Sequence, residues 1–165
     1  MRNVSQDDLA CIQEQLGRTP RDVHAIAYRC PCGKPAVVET EPRLGDGTPF
    51  PTFYYATCPR LTGAISTLES TGLMADMNAR LATDADLASA YAVAHDRYIA
   101  ARSVLGIDVP EIDNISAGGM PDRVKCLHSL VAHSLSAGPG VNPIGDEALA
   151  KLPQWWREEP CSEVA

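Results

Sequence analysis

The 165-residue chain fits a single domain, and a hydrophobic fraction of 45% is enough for a core that needs no disulfide bonds to be stable. A net charge of −7 works against non-specific binding to nucleic acids, so we expect no nucleic-acid partner. The polar, acidic start of the chain lacks the apolar stretch of a secretory signal, and no run approaches the roughly 18 apolar residues of a membrane span, which predicts a cytoplasmic protein without membrane association.

The first part of the chain predicts one helix followed by two strands. Ser5 suits the N-cap of a helix, and apolar residues at helical spacing continue it to Leu16. Residues 23–28 and 36–40 are rich in strand-forming residues and predict two strands. The turn between them is Cys30-Pro31-Cys32-Gly33, in which the proline cannot donate a ladder hydrogen bond and the glycine can adopt a positive φ. We therefore expect both thiols at the tip of one turn.

The middle of the chain predicts a third strand and then helices. Residues 52–57 are aromatic-rich and end at Cys58, and Pro59 suits the first turn of a helix. Apolar residues continue at helical spacing to about residue 101, which predicts further helices that serve as scaffold.

Two more helices are predicted near the end of the chain. One begins in residues 116–121, where a Gly-Gly-x-Pro sequence is expected to leave backbone N–H groups open for an anion, and it carries Cys126. A short helix follows over residues 146–152, after a rigid turn at residues 138–145. Strand patterns thus precede Cys58 and helix patterns follow it.

This order predicts one α+β domain over residues 1–165, with a small antiparallel sheet of about three strands packed against five or six helices. Residues 153–165 are expected to form a loosely packed tail.

Four cysteines from three separated segments are predicted to share one site. They are Cys30, Cys32, Cys58 and Cys126. In a reducing cytoplasm the six cysteines of the chain are expected to be thiols or metal ligands and not disulfides. Cys11, on the first helix, and Cys161, near the C-terminus, are expected to lie outside the site.

Five basic residues and no acidic ones lie within three positions of these four cysteines. They are Arg29, Lys34, Arg60, Arg123 and Lys125. Positive neighbours stabilise thiolates and offset the charge of a thiolate-bound metal or of a bound anion. We therefore predict that these five residues bind an anionic group.

The cysteine spacing favours an iron–sulfur cluster over zinc, because zinc usually takes C-x₂₋₄-C pairs whereas clusters accept dispersed ligands. His128 or His133 could complete the ligand shell. With only three thiols bound, one iron would be open to a small anionic substrate. Two alternatives remain: a non-catalytic interaction module stabilised by zinc or packed thiols, and a metal-free thiol enzyme that uses Cys30 or Cys32 as its nucleophile. Whether the protein is an enzyme stays open.

Several sequence segments carry a resemblance to a known family. They include residues 29–33, 46–52, 57–61, 116–128 and 137–143. In these segments the chain resembles the bacterial family catalogued as domain of unknown function five hundred and one, over nearly the whole length from about Leu16 to Leu152. The resemblance implies a bacterial cytosolic protein from a high-GC Gram-positive lineage, and it implies no particular activity, cofactor or site residue.

Overall fold

The computed structural model describes residues 3–162, which fold as an α+β domain, as predicted. Three strands form one antiparallel sheet in the order β1-β2-β3. The strands are β1 Val23–Arg29, β2 Pro35–Thr40 and β3 Tyr54–Ala56. The α-helices within the described residues are α1 Gln6–Leu16, α2 Pro59–Glu69, α3 Leu73–Thr83, α4 Ala85–Ser103, α5 Leu127–Ala137 and α6 Pro143–Ala150, and a 3₁₀ turn covers Pro110–Ile112.

The central strand β2 pairs with both neighbours, and Val38 lies opposite Ile26 of β1 and Tyr55 of β3. α1 covers one face of this sheet, where Ile12 packs in a small apolar cluster with Ile26 and Val38. The other helices and the larger part of the core lie against the opposite face. Each face of the sheet is therefore covered, although the two layers differ greatly in size.

The predicted start and end of α1 are confirmed. The Ser5 hydroxyl accepts a hydrogen bond from the Asp8 N–H at 3.1 Å, and the Asp8 carboxylate accepts one from the Ser5 N–H at 3.0 Å. This reciprocal pair satisfies two N–H groups that a helix N-terminus otherwise leaves without partners. Gly17 ends the helix with a φ of 70°, a conformation that glycine adopts without steric cost.

The larger core is built around α5, which lies between the sheet and the helices α2 and α6. The fully buried Tyr98 of α4 reaches the sheet edge, where its hydroxyl accepts a hydrogen bond from the Tyr54 N–H at 3.0 Å. Gly145 lets α6 approach α5 closely, because a Cβ at this position would collide with the Leu130 carbonyl and the Ser134 hydroxyl. α5 thus packs closely against α6 on one side and contacts the sheet on the other.

The predicted helix start at residues 116–121 is wrong, since α5 begins only at Leu127. Gly118 and Gly119 have φ values of 68° and 94°, outside the right-handed helical region, and the chain forms a compact turn there. The N–H of Arg123 donates to the Gly119 carbonyl at 3.0 Å, and the N–H of Lys125 donates to the Gly118 carbonyl at 2.8 Å. These donors are used within the turn, so the expected anion-binding helix end does not form here.

The last helix also begins earlier than predicted. Asn142 caps α6 by accepting a hydrogen bond from the Gly145 N–H at 2.9 Å, and Pro143 occupies the first helical position. The asparagine-proline pair is a helix start, and not part of a turn that extends to residue 145.

After α6 the chain returns across the molecule without regular secondary structure. Trp155 and Trp156 pack against the main core, and Cys161 is buried with only 4% of its surface exposed. Residues 163–165 lie outside the described part of the chain, so the prediction for the tail as a whole stays a prediction. Within residues 3–162, no helix is long and apolar enough to cross a membrane.

Candidate metal centre

The turn between β1 and β2 presents the first two thiols. The Gly33 N–H donates to the Cys30 carbonyl at 2.8 Å, and the Cys30 N–H donates to the Lys34 carbonyl at 2.9 Å. Gly33 has a φ of 90°, which this reversal requires and which other residues rarely adopt. The turn buries Cys30 and leaves Cys32 half-buried at the tip, in the arrangement predicted for the two thiols.

The third thiol belongs to Cys58, which links β3 to α2. Cys58 is the N-cap residue of α2, is fully buried, and precedes Pro59 at the first helical position. A hydrogen bond from the Cys161 thiol lowers the pKa of Cys58 against the opposing effect of burial. The N–H groups of Leu61 and Arg60 and the charge of Arg60 lower it further. Cys58 therefore becomes a thiolate more readily than an ordinary cysteine.

The fourth thiol is that of Cys161, and the prediction that this residue lies outside the site is wrong. Its sulfur is 3.2 Å from the sulfur of Cys30, and the sulfurs of Cys30, Cys32 and Cys161 all lie within 4.8 Å of one another. The Cys161 thiol also interacts with the thiol of Cys58. We call these four residues, Cys30, Cys32, Cys58 and Cys161, the thiol cluster.

Polar contacts from α1 and α2 hold the C-terminal segment over the cluster. The side-chain amide of Gln15 donates to the carbonyls of Pro35 at 2.8 Å and Cys161 at 3.4 Å, so it joins the sheet to the tail. Ser162 contacts the Glu14 carboxylate, and Glu159 forms an ion pair with Arg60. Cys161 is thus held in place by its neighbours in the chain as well as by its own burial.

The thiols of the cluster differ in the direction in which their pKa values are shifted. Contact with Cys58, then burial, and then contact with Cys30 raise the pKa of Cys161 far above its usual range. Burial raises the pKa of Cys30, whereas backbone N–H groups and the neighbouring thiols outweigh burial and lower that of Cys32. Four adjacent thiolates repel one another, so all four can ionise together only if a cation lies between them.

Cys126 does not group with these thiols, and it lies instead beside Glu69 and His128. One ligand atom from each of the three residues lies within 4.8 Å of the others. The Nδ1 of His128 is 3.3 Å from a carboxylate oxygen of Glu69, and the second oxygen of Glu69 accepts a hydrogen bond from the Leu127 N–H at 2.8 Å. We call Glu69, Cys126 and His128 the mixed-ligand group.

Burial and contacts shift the pKa values of Cys126 and His128 in opposite directions. Burial raises the pKa of Cys126, but contact with His128 and with the N–H and hydroxyl of Ser129 outweighs it, so the pKa lies below its usual value. Contact with Cys126, and after it the charge of Glu69, raises the pKa of His128 despite its partial burial. The thiol of Cys126 is accordingly easy to ionise.

His133, proposed as an additional ligand, lies in the main core and in neither group. Its ring stacks on Tyr54 with centroids 5.8 Å apart, and its Nδ1 is 3.2 Å from the side-chain nitrogen of Asn142. Burial lowers the pKa of His133 to about 4, so the ring is neutral at neutral pH. Cys11 is also buried, and burial raises its pKa. Among the described residues it joins neither group.

The predicted anion-binding residues do not form an acid-free surface. Arg29 donates two hydrogen bonds to the Asp8 carboxylate, at 2.9 and 2.8 Å, and Arg60 pairs with Glu159. Arg123 and Lys125 are exposed on the turn before α5. Lys34, half-buried, follows Gly33 in the thiol-bearing turn. Carboxylates from other parts of the chain therefore accompany at least two of the five bases, although no acidic residue lies within three sequence positions of the four predicted cysteines.

The structure thus contains a group of three cysteines, Cys30, Cys32 and Cys161, that could hold a metal ion. The sequence did not reveal one member of each of the two groups. Cys161 is reached only by a tail whose path depends on tertiary contacts, and the one available signal was the Trp155-Trp156 pair, which indicates that the tail packs against the domain. Glu69, the last residue of α2, joins the mixed-ligand group and carries no sequence signal of its own.

Comparisons with known proteins place the chain in a family. Neither a search of curated proteins nor a search of solved structures found a match. A scan against family models matched residues 26–150, a range that contains Cys30, Cys32, Cys58 and the whole mixed-ligand group but not Cys161. The chain belongs to the family described as "Protein of unknown function (DUF501)".

Proposed function

We propose that the protein is a metalloprotein whose thiol cluster binds one zinc ion through Cys30, Cys32, Cys58 and Cys161. The observation that carries this proposal is the spacing of three sulfurs, from 3.2 Å between Cys30 and Cys161 to no more than 4.8 Å within the group of Cys30, Cys32 and Cys161. Cys58, whose thiol interacts with that of Cys161, would supply the fourth ligand. Sulfurs that are each ~2.3 Å from one tetrahedral zinc ion lie about 3.8 Å apart, which falls inside this range.

The same spacing favours a single ion over the iron–sulfur cluster that the sequence pattern favours. A cluster places several irons and sulfides between the cysteine sulfurs and therefore needs a wider opening. The direct contact of 3.2 Å between the sulfurs of Cys30 and Cys161 leaves no such room. Zinc binds four thiolates in structural sites, and this set of donors suits it.

The role that fits a closed, buried four-thiolate site is structural. The ion would join three segments that are distant in sequence: the turn of β1 and β2, the start of α2, and the C-terminal tail. Because ligands that bind zinc must be deprotonated, coordination would also resolve the repulsion among the four thiolates. A reducing compartment such as the cytoplasm would keep these thiols available for the metal.

Metal and sulfide analysis of the full chain, purified without oxygen, tests this proposal. We expect zinc, no acid-labile sulfide, and the loss of one equivalent of zinc in Cys161→Ala. The matched control is Cys11→Ser, which alters a buried cysteine outside the cluster and should leave the zinc content unchanged.

Cobalt substitution gives a second readout, because the intensity of the sulfur-to-cobalt charge-transfer band rises with the number of bound thiolates. The wild-type protein should show the strong absorption of a four-thiolate site, and Cys161→Ala should weaken it. Iron with acid-labile sulfide would overturn the single-ion proposal. Four freely reactive thiols and no metal in the reduced, folded protein would overturn metal binding altogether.

A further inference from the structure

We propose that Glu69, Cys126 and His128 form a second metal site, which holds a zinc ion with one coordination position open to a cleft. This site shares no residue with the thiol cluster. It lies where the end of α2 meets the start of α5, and all three side chains are partly exposed. A site with three protein ligands and a free position is the arrangement typical of catalytic and not of structural zinc.

The distance between His128 and Glu69 supports a bridging ion. The two atoms Nδ1 and Oε1 are 3.3 Å apart, longer than the ~2.7–2.9 Å of a charge-assisted hydrogen bond. Nitrogen and oxygen ligands that are each ~2.0–2.1 Å from a tetrahedral zinc ion lie about 3.3 Å apart. The sulfur of Cys126 lies within 4.8 Å of both partners, which is close enough to bind the same ion.

The surroundings of the two ligands leave one atom of each free for the metal. The Nε2 of His128 is 3.2 Å from the Thr62 carbonyl, an acceptor, and 3.2 Å from the Ser66 hydroxyl, so a neutral ring that donates from Nε2 to Thr62 can offer the lone pair of Nδ1. The Oε2 of Glu69 accepts the Leu127 N–H at 2.8 Å, which leaves Oε1 on the side of His128. Hydrogen bonds of this kind fix the orientation of metal ligands in proteins.

The fourth position would face a cleft of about 440 Å³. Cys126, His128 and Ser129 line one side of it, and side chains of α1 and β3, among them Gln15 and Tyr55, line others. Lining residues within the described chain include no lysine or arginine, so an anion in the cleft would be held by the metal and by neutral hydrogen-bonding groups.

Charge limits the ligand that this site would take. One thiolate and one carboxylate balance the two positive charges of zinc, so a single small anion would leave one negative charge. Cys126 lies at the N-terminal end of α5, an 11-residue helix whose dipole favours negative charge there. We therefore assign the open position to a small monoanionic oxygen ligand, such as a carboxylate group of a substrate.

Zinc titration of the full chain tests the second site, because it separates two binding events. After one tight equivalent has filled the thiol cluster, we expect a second equivalent that Glu69→Gln weakens at least tenfold and Cys126→Ala abolishes, while both variants retain the first. Cys11→Ser should bind both equivalents. Glu69→Gln keeps the shape of the side chain and its ability to accept from Leu127, so its fold can be verified by thermal unfolding.

The open position has its own probe. With cobalt in the second site, acetohydroxamate should change the visible spectrum in a saturable way, and Glu69→Gln should remove the response, while Cys161→Ala should keep it. Wild-type protein that binds no second equivalent would overturn the site. A second equivalent that ignores acetohydroxamate would overturn the open position. Failure of the thiol cluster alone would appear as loss of the tight, sulfur-rich equivalent with the second one intact, so the two proposals can fail separately.

Discussion

The thiol cluster and the mixed-ligand group differ in how deeply they are buried and in which parts of the chain form them. Three thiols of the cluster are almost fully buried, and the fourth lies at the tip of a turn. Glu69 and His128 retain 22% and 29% of their side-chain exposure, and Cys126 borders a cleft. The cluster draws on three distant segments, whereas the mixed-ligand group needs only the contact of α2 with α5.

If both groups bind metal as proposed, this difference separates a site that would serve the fold from one that would be available to a ligand. A closed site that gathers distant segments adds its binding free energy to folding, because the unfolded chain cannot present the same four sulfurs together. A partly exposed site on two helices that already pack against each other adds less to folding and leaves room for exchange. Both sites include a thiol at a helix N-cap, Cys58 at α2 and Cys126 at α5, so local position alone does not decide the role.

The largest effect is expected for Cys58→Ala. This change removes a fully buried ligand that also touches Cys161, so it should release the zinc of the thiol cluster and lower the free energy of unfolding by about 3–5 kcal/mol. Chemical unfolding of the zinc-loaded protein, followed by circular dichroism, gives the magnitude. Cys126→Ala, tested in parallel, should be less destabilising. Equal destabilisation by the two changes would contradict the distinction between the thiol cluster and the mixed-ligand group.

Gly145→Ala separates packing from coordination. The added methyl group would meet the Leu130 carbonyl and the Ser134 hydroxyl, so α6 must shift away from α5, at a cost of about 3 kcal/mol in the free energy of unfolding. None of the cluster thiols lies on α5 or α6, so the zinc content of the thiol cluster should stay unchanged. Loss of that zinc in folded Gly145→Ala would show that the cluster depends on the helical core. Gly63→Ala is a suitable control, because open space surrounds this glycine.

The Asp8–Arg29 ion pair joins α1 to the end of β1, next to the thiol-bearing turn. The pH dependence of the free energy of unfolding tests how much this pair stabilises the fold. The hydrogen bond from Arg29, opposed in part by burial, lowers the pKa of Asp8 to about 2, from 3.8. A lowered carboxyl pKa stabilises the fold above the unfolded value and loses that effect as the pH falls from about 4 to about 2. Arg29 is 44% exposed, so we expect only about 1 kcal/mol. Asp8→Asn should lose this amount at pH 7 and match the wild type near pH 2 in urea unfolding.

The smallest stability effect is expected for Glu69→Gln. The amide retains an acceptor for the Leu127 N–H, and both Glu69 and His128 are partly exposed, so the free energy of unfolding should fall by less than about 1 kcal/mol. Thermal unfolding of the protein with zinc bound only at the thiol cluster measures this loss of stability. A much larger loss would mean that the mixed-ligand group supports the fold in the way the thiol cluster does.

Local signals in the sequence predicted much of the fold. The N-cap at Ser5, the Cys30–Gly33 turn and the proline after Cys58 each depend on residues within one turn of the chain, and the structure agrees with all three. The start of α5 was missed because Gly118 and Gly119 form a turn where the Gly-Gly-x-Pro sequence predicted the beginning of a helix. A proline suits the first turn of a helix, but it does not report where glycines with positive φ interrupt the backbone before it.

The candidate site could be predicted only in part, because local sequence patterns do not report the tertiary course of the chain. Cys30 and Cys32 lie together because four consecutive residues place them so. Which other thiols join them depends on the tertiary course of the chain, and the tail carries Cys161 to a position that the sequence analysis assigned to Cys126. Glu69 meets His128 across 59 residues of sequence, through helix packing that no local pattern encodes.

Anomalous diffraction at the zinc absorption edge, from crystals of the reduced full chain, tests the central claim most directly. We expect one strong peak about 2.3 Å from the sulfurs of Cys30, Cys32, Cys58 and Cys161, and a second, weaker peak between Glu69, Cys126 and His128. A protein crystallised with zinc that shows no peak among the four thiols would contradict the account. A single zinc bound jointly by Cys58 and Cys126 would contradict it as well, because the two groups would then be one site.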